Sequence, residues 1–185
     1  SIDMTDHGSA AASSLMNALR ATYDASIAVG YSPLVSTSIY CGEYSKQQIL
    51  WVMAGNYAVS QGEYTGAELR QMMEWLVNVK DNGANPIRHR NYMPVTSGME
   101  YKVTEYEQGK FRLEELTING APLDDTTTYT VFVAGTDVWI ENEVYCNCPM
   151  PENLKAKRTE YAIEGAESRS CLKDSLAVSK QFPAP

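Results

Sequence analysis

The sequence predicts an α+β domain with a mixed sheet and packed helices. Apolar residues recur at helical spacing in two stretches, Leu15-Leu19-Tyr23 and Leu69-Met72-Met73-Leu76. Alternating and β-branched runs from Met99 to Ala134, punctuated by turn residues, read as antiparallel strands. The two kinds of pattern interleave along 185 residues, a length that suits one domain (1–185) with a buried core.

In chain order, the first helical pattern carries Ala11, Ala12 and Met16 beside its apolar stripe and stops at Asp24. Ser26-Ile27-Ala28-Val29 then reads as a short buried strand. Ser45 with Gln48 is a capping box, followed by the stripe Ile49, Leu50 and Met53. Tyr57 to Tyr64 reads as a strand. Thr65-Gly66-Ala67-Glu68 is a second capping box and opens the clearest helix, expected to stop near Asn82-Gly83. Met99, Tyr101 and Val103 alternate with polar residues, Gln108-Gly109 turns the chain, and Phe111 and Leu113 resume the strand. Leu116 and Ile118 lead to Asn119-Gly120, a strong tight-turn dipeptide. Pro122 to Thr128 reads as a loop, and Tyr129 to Ala134 suits a central strand. Residues 140–185 read as irregular, apart from a closing helix at Leu172–Val178 and a tail or linker at Phe182–Pro185.

Hydrophobic residues make up 44% and charged residues 21%, an ordinary soluble composition with a net charge of -8. The densest basic stretch is Arg88-His89-Arg90, so nucleic acid polymers and anionic membranes are poor partners, whereas one or two arginines suffice for a mononucleotide. No apolar run has membrane-spanning length. Ser1-Ile2-Asp3-Met4-Thr5-Asp6 lacks the charged start and apolar stretch of a signal peptide and reads as a cut within a longer protein. Cys41, Cys146, Cys148 and Cys171 allow two disulfides in three connectivities. Cys146-Asn147-Cys148 is also half of a zinc site, but no second Cys pair accompanies it and the histidines are only His7 and His89, so disulfides or thiols are favoured over metal.

Catalytic motifs are absent. The chain has no P-loop, no GxSxG, no HExxH and no Asp-x-His pair, and two histidines do not furnish a two-metal centre. The acid pairs Asp124-Asp125 and Glu114-Glu115 read as a solvated loop and a strand edge rather than general acid–base machinery. Met72 and Met73 read as core rather than a binding groove. The chain by itself is expected to have no catalytic residue, metal or cofactor and no phosphohydrolase activity.

Met93-Pro94-Val95-Thr96-Ser97-Gly98-Met99-Glu100-Tyr101 resembles the "SGLxY" strand of the 5'-nucleotidase C-terminal domain. Leu116-Thr117-Ile118-Asn119-Gly120-Ala121-Pro122-Leu123-Asp124 resembles that family's "NGxPLD" hairpin, and Tyr129-Thr130-Val131 follows at the family spacing. Upstream, Ala18-Leu19-Arg20 resembles "DAxR", Ala25 to Val29 resembles "ADIAL", Gly42-Glu43-Tyr44-Ser45 resembles "G-x-(I/V)-T", and Tyr64 to Leu69 resembles "(V/L)-T-G-x-x-L". The resemblance is strongest over residues 9–139. It implies the substrate-recognition domain of an exported bacterial hydrolase of nucleotide catabolism, located outside the cell, in the periplasm or on the cell surface. It also implies an upstream metallophosphoesterase domain in the same polypeptide, holding a divalent metal pair, and a small nucleotide-like ligand.

The same register exposes departures. The family's "NGGGIR" is Tyr31-Ser32-Pro33-Leu34-Val35-Ser36 here, so Ser36 stands where an arginine pairs with the substrate phosphate. "PFGN" is Met53-Ala54-Gly55-Asn56, which keeps Asn56 and loses the stacking Phe. Thr136 replaces the second stacking aromatic, and Ile140-Glu141-Asn142-Glu143 replaces the "GGDG" loop. Each stacking face contributes about 1–3 kcal/mol and a charge-assisted arginine contact about 1.5–3 kcal/mol, so nucleosides and their monophosphates are expected to bind weakly or not at all. The resemblance leaves Asn56, Tyr57, Trp139 and Asn142 as substrate-binding candidates, with Tyr57, Trp139 or Tyr145 supplying replacement rings. The competing expectations are a structural or interaction domain that keeps the fold without the ligand, and a module for another small molecule. An exported parent would also favour a bridge between Cys146 or Cys148 and Cys171 or Cys41, fixing the segment that replaces the glycine loop.

Overall fold

A computed structural model describes residues 10–31, 45, 47–48, 56–78, 94–107, 110–135, 150–168 and 171. The elements are α1 (Ala10–Thr22), β1 (Ile27–Tyr31), β2 (Ala58–Thr65), α2 (Gly66–Leu76), β3 (Pro94–Ser97), β4 (Met99–Glu107), β5 (Lys110–Ile118), β6 (Ala121–Pro122), β7 (Thr128–Ala134), α3 (Glu152–Glu160) and β8 (Ala162–Glu167). Five strands form one sheet in the order β3-β1-β7-β2-β8, and β4-β5-β6 form a second. Within the larger sheet β1 and β7 are parallel and the other neighbours antiparallel, so the fold is the mixed-sheet α+β architecture the sequence predicts.

The middle strands are apolar on both faces because both are covered. Ile27, Ala28 and Val29 of β1 and Val131 to Ala134 of β7 are all buried. From α1, Leu15, Met16, Ala18 and Leu19 enter the same core, and Tyr23 stacks on Phe132 with ring centroids 4.7 Å apart. The helix ends where expected, since Asp24 adopts a left-handed φ of 47°.

The capping box at Thr65 forms as read. The Thr65 hydroxyl accepts from the Glu68 backbone N–H at 3.3 Å, and the Glu68 carboxylate accepts from the Thr65 N–H at 2.8 Å. Leu69, Met72, Met73 and Leu76 are buried, each such side chain contributing about 1.5–3 kcal/mol. The helix, however, ends at Leu76 with Val77 as its C-cap rather than near Asn82-Gly83. Asn78 explains the early stop. Its amide donates to the Phe111 carbonyl at 2.9 Å and its carbonyl accepts from the Phe111 N–H at 2.9 Å, so β5 captures the chain. Ser45 and Gln48 also make their box, with Ser45 N–H donating to Gln48 Oε1 at 2.8 Å. The stripe Ile49, Leu50 and Met53, the Gln108-Gly109 turn and the helix at Leu172–Val178 lie outside the described residues.

β4 and β5 form the expected hairpin, and Asn119 and Gly120, at φ of 51° and 78°, make the tight turn into β6. The segment 140–185, read as irregular, holds α3 and β8. No side-chain cap marks α3, and it buries only Leu154 and Arg158, so its helical period carries a single apolar residue. β8 is a half-exposed edge strand whose tie to β2 is non-local. Tyr161 between them lies on Gly62, where any Cβ would overlap the ring, and meets Tyr64 edge-on with centroids 5.7 Å apart. Lys157 joins α3 to α2 through Glu68 at 2.6 Å.

Candidate functional site

The register of the sheet gives it two unlike ends. β1 and β7 begin at one end, where β2 and β3 finish, and the family-like motifs gather there. Gly98, at φ 77°, lets the chain pass close to the Ser26 carbonyl, and Arg20 lies over the same spot, its Nη1 3.5 Å from that oxygen. A Cβ on Gly66 would collide with the Asp124 carbonyl, and Gly66 N–H donates to the Thr127 carbonyl at 2.9 Å. Asp124 accepts from the backbone N–H of Thr126 at 2.9 Å and from the hydroxyls of Thr126 and Thr127, bonds that hold its carboxyl below the ordinary carboxylate range. Asp125 pairs with Arg70 at 2.8 Å. Burial pushes Glu68 up, but its bonds to Lys157 and Thr65 outweigh that and hold it low. The acid pair Asp124-Asp125 therefore builds a turn. Glu115 pairs with Lys102 on an exposed ribbon face.

The other end gathers the carboxyl ends of β1, β7 and β8 and the starts of β2 and β3. Tyr31 faces Pro94, Val59 faces Ala134, and Ala58 faces Glu167. Gly135, at φ 89°, donates to the Ala58 carbonyl at 2.9 Å. In open α/β sheets ligands collect outside the carboxyl ends of the parallel strands, and here the parallel pair β1 and β7 ends beside the motif residue Asn56, which makes this end the candidate site. Asn56 and Tyr57 stand on it. Asn56 is exposed and its amide donates to the Glu167 carboxylate. Tyr57 is half-buried against the core, and its backbone is clamped to Ser168, N–H to Oγ at 3.1 Å and carbonyl to N–H at 2.8 Å.

Of the four candidates, Asn56 and Tyr57 are thus neighbours at the sheet end, while Trp139 and Asn142 lie outside the described residues. Ser36, Thr136, Tyr145, Cys41, Cys146 and Cys148 lie outside them too, and with them the cysteine pairing, while Cys171 is buried. Glu167 and Ser168 were not read from the sequence. They match no motif and meet Asn56 and Tyr57 across 111 residues of chain. Among the described residues no three of His, Cys, Asp and Glu converge, so these do not fit a two-metal centre. No helix among them is long and apolar enough to cross a membrane.

Away from this end, α3 covers a polar patch on β2. Burial, the largest influence, raises the Tyr64 phenol to about 12 despite the nearby Arg158 guanidinium, and its hydroxyl has no hydrogen-bond partner among the described residues. Arg158 itself is fully buried and reaches Met150 Sδ at 3.8 Å.

Residues 4–136 match the model of the 5'-nucleotidase, C-terminal domain family. Among solved structures, the chain resembles the NAD nucleotidase of Haemophilus influenzae (TM-score 0.67, 13% identity, covering 97% of this chain and 32% of that one). It also resembles a 5'-nucleotidase precursor from Thermus thermophilus (TM-score 0.64, 17% identity, 95% of this chain and 34% of that one). A third likeness is a sulfate thiohydrolase of the same species (TM-score 0.58, 14% identity, 94% of this chain and 32% of that one). At such identities these likenesses speak for the fold, and the chain spans about a third of each protein's length. No curated protein matches the chain in sequence. The chain belongs to the 5'-nucleotidase C-terminal domain family, with the family match running from α1 through β7.

Proposed function

We propose that this chain is the substrate-recognition domain of an exported 5'-nucleotidase-like phosphoesterase, outside the cytoplasm, and that it holds the nucleoside part of a nucleotide or related phosphoester. The observation that carries this is the exposed Asn56, kept from the family motif, at the sheet end where the parallel strands β1 and β7 finish. On this reading the bond-breaking chemistry and its divalent metal pair belong to a phosphoesterase domain upstream in the same polypeptide. The chain's own residues bind and orient.

Calorimetric titration of the 185-residue chain with adenosine tests the proposal. Weak binding is expected, with a dissociation constant of roughly 0.1–1 mM, because Met53-Ala54-Gly55-Asn56 lacks the family's stacking Phe and Thr136 replaces the second stacking ring. Asn56→Ala should weaken it at least about fivefold, the worth of one hydrogen bond. The alternative, a domain that keeps the fold without a ligand, draws on those same replacements. Heatless titrations at millimolar adenosine would decide for it.

A further inference from the structure

Glu167 reaches the sheet end by an unusual path. Ala58 pairs with Glu167 and Ser60 with Ala162, so two steps along β2 span five along β8, and the strand bulges between them. Gly165, at φ 71° with open space where a Cβ would stand, supplies the backbone conformation that the bulge needs. Beyond the bulge, the two bonds between Ser168 and the Tyr57 backbone fix the chain, Ser168 is buried, and Glu167 is left on the surface beside Asn56. Gly165, Glu167 and Ser168 lie beyond residue 136, where the family match stops.

An ionised carboxylate only accepts hydrogen bonds, and it bonds strongly to hydroxyl and amino donors. It also repels a phosphate group. Resting on the substrate-recognition reading above, we propose that Glu167 sets the ligand preference of this end, accepting hydrogen bonds from the hydroxyl or amino groups of a nucleoside and disfavouring a phosphate placed against it. A phosphoester would then sit with its nucleoside on Asn56 and Glu167 and its phosphate turned away from the sheet.

The test compares adenosine with adenosine monophosphate on the 185-residue chain and on Glu167→Gln, which keeps an acceptor for Asn56 and removes the charge. The unchanged chain should bind adenosine about fivefold more tightly than the monophosphate at low ionic strength, the size of a charge–phosphate repulsion across several ångströms of solvent. That ratio should shrink towards one at about 0.5 M salt, where the repulsion is screened. In Glu167→Gln it should be near one already at low salt. The chain's net charge of -8 also repels a phosphate, so the substitution assigns the effect, and Glu167→Asp, which keeps the charge and should keep most of the ratio, separates lost charge from misfolding. If both ligands bind but the ratio does not respond to Glu167→Gln, Glu167 has no such role, whatever the response to salt. If neither ligand binds, the recognition reading itself fails and this proposal falls with it.

Discussion

Where β1 and β7 begin, the chain is fixed by backbone passing against backbone: Gly98 under the Ser26 carbonyl, Gly66 against Asp124, and a turn knotted by the Asp124 carboxylate. Where the same strands end, the described ties include the backbone bond from Gly135 to Ala58, one clamp between Tyr57 and Ser168 and a surface pair between Asn56 and Glu167. The residues that resemble the family gather at the first end, and the positions that depart from it adjoin, in sequence, the end of β1, the start of β2 and the end of β7. Close backbone approaches tolerate almost no substitution, because any side chain collides. A surface carboxylate or amide can be exchanged without disturbing the core. The family therefore remains recognisable in the end that makes the fold, while the proposed ligand end keeps little of its motifs beyond Asn56.

Substitutions at the two ends should differ sharply in cost. Gly66→Val puts a branched side chain into the Asp124 backbone and should destabilise the fold by about 3 kcal/mol or more in urea unfolding, or prevent folding. A loss below about 1 kcal/mol would show that the first end yields easily and would break the contrast. Gly98→Ala combines a positive φ with a collision at the Ser26 carbonyl and should cost about 2 kcal/mol by the same measurement. Thr65→Ala removes the hydroxyl half of the α2 cap and should cost about 1 kcal/mol.

Acid should also act on the first end. The carboxyls of Asp124 and Glu68 titrate lower in the folded chain than in the unfolded one, so their contribution is complete above the ordinary carboxylate range. It is lost as pH falls below roughly 4 and through the folded values. The melting temperature should therefore drop over that interval, and Asp124→Asn should flatten the drop. An unchanged acid profile in the variant would mean that the Asp124 turn adds nothing. The smallest effect belongs to the second end, where Asn56→Ala should shift unfolding stability by less than about 0.5 kcal/mol. A larger loss would make Asn56 a structural residue and remove the main support for its role in binding.

Most of the scaffold was legible in the sequence because its signals are local. The cap at Thr65, the turn at Asn119-Gly120 and the buried stripes of α1 and α2 each depend on residues a few positions apart. The candidate site was legible only through Asn56, which comes from a motif, and Tyr57, the ring beside it in sequence. Glu167 and Ser168 carry no local signal, and what defines them is a strand pairing made from the far part of the chain. α3 escaped notice for a related reason, since its second buried residue is Arg158, a charged side chain that breaks the apolar period.

Near-neighbour chemistry thus specifies most of the described helices and strands from Ala10 to Ala134, though not β3 or the Pro122 half of β6, and the family they belong to. Periodicity, capping and turn residues act over a few positions and need no knowledge of the rest. Long-range packing specifies where α2 stops, that β8 completes the sheet, and that a carboxylate stands beside Asn56. Each of these depends on a polar group finding its hydrogen-bond partner on a distant part of the chain. Asn78 pairs with the backbone of Phe111 and Ser168 with that of Tyr57, and such partners are chosen by how the chain packs.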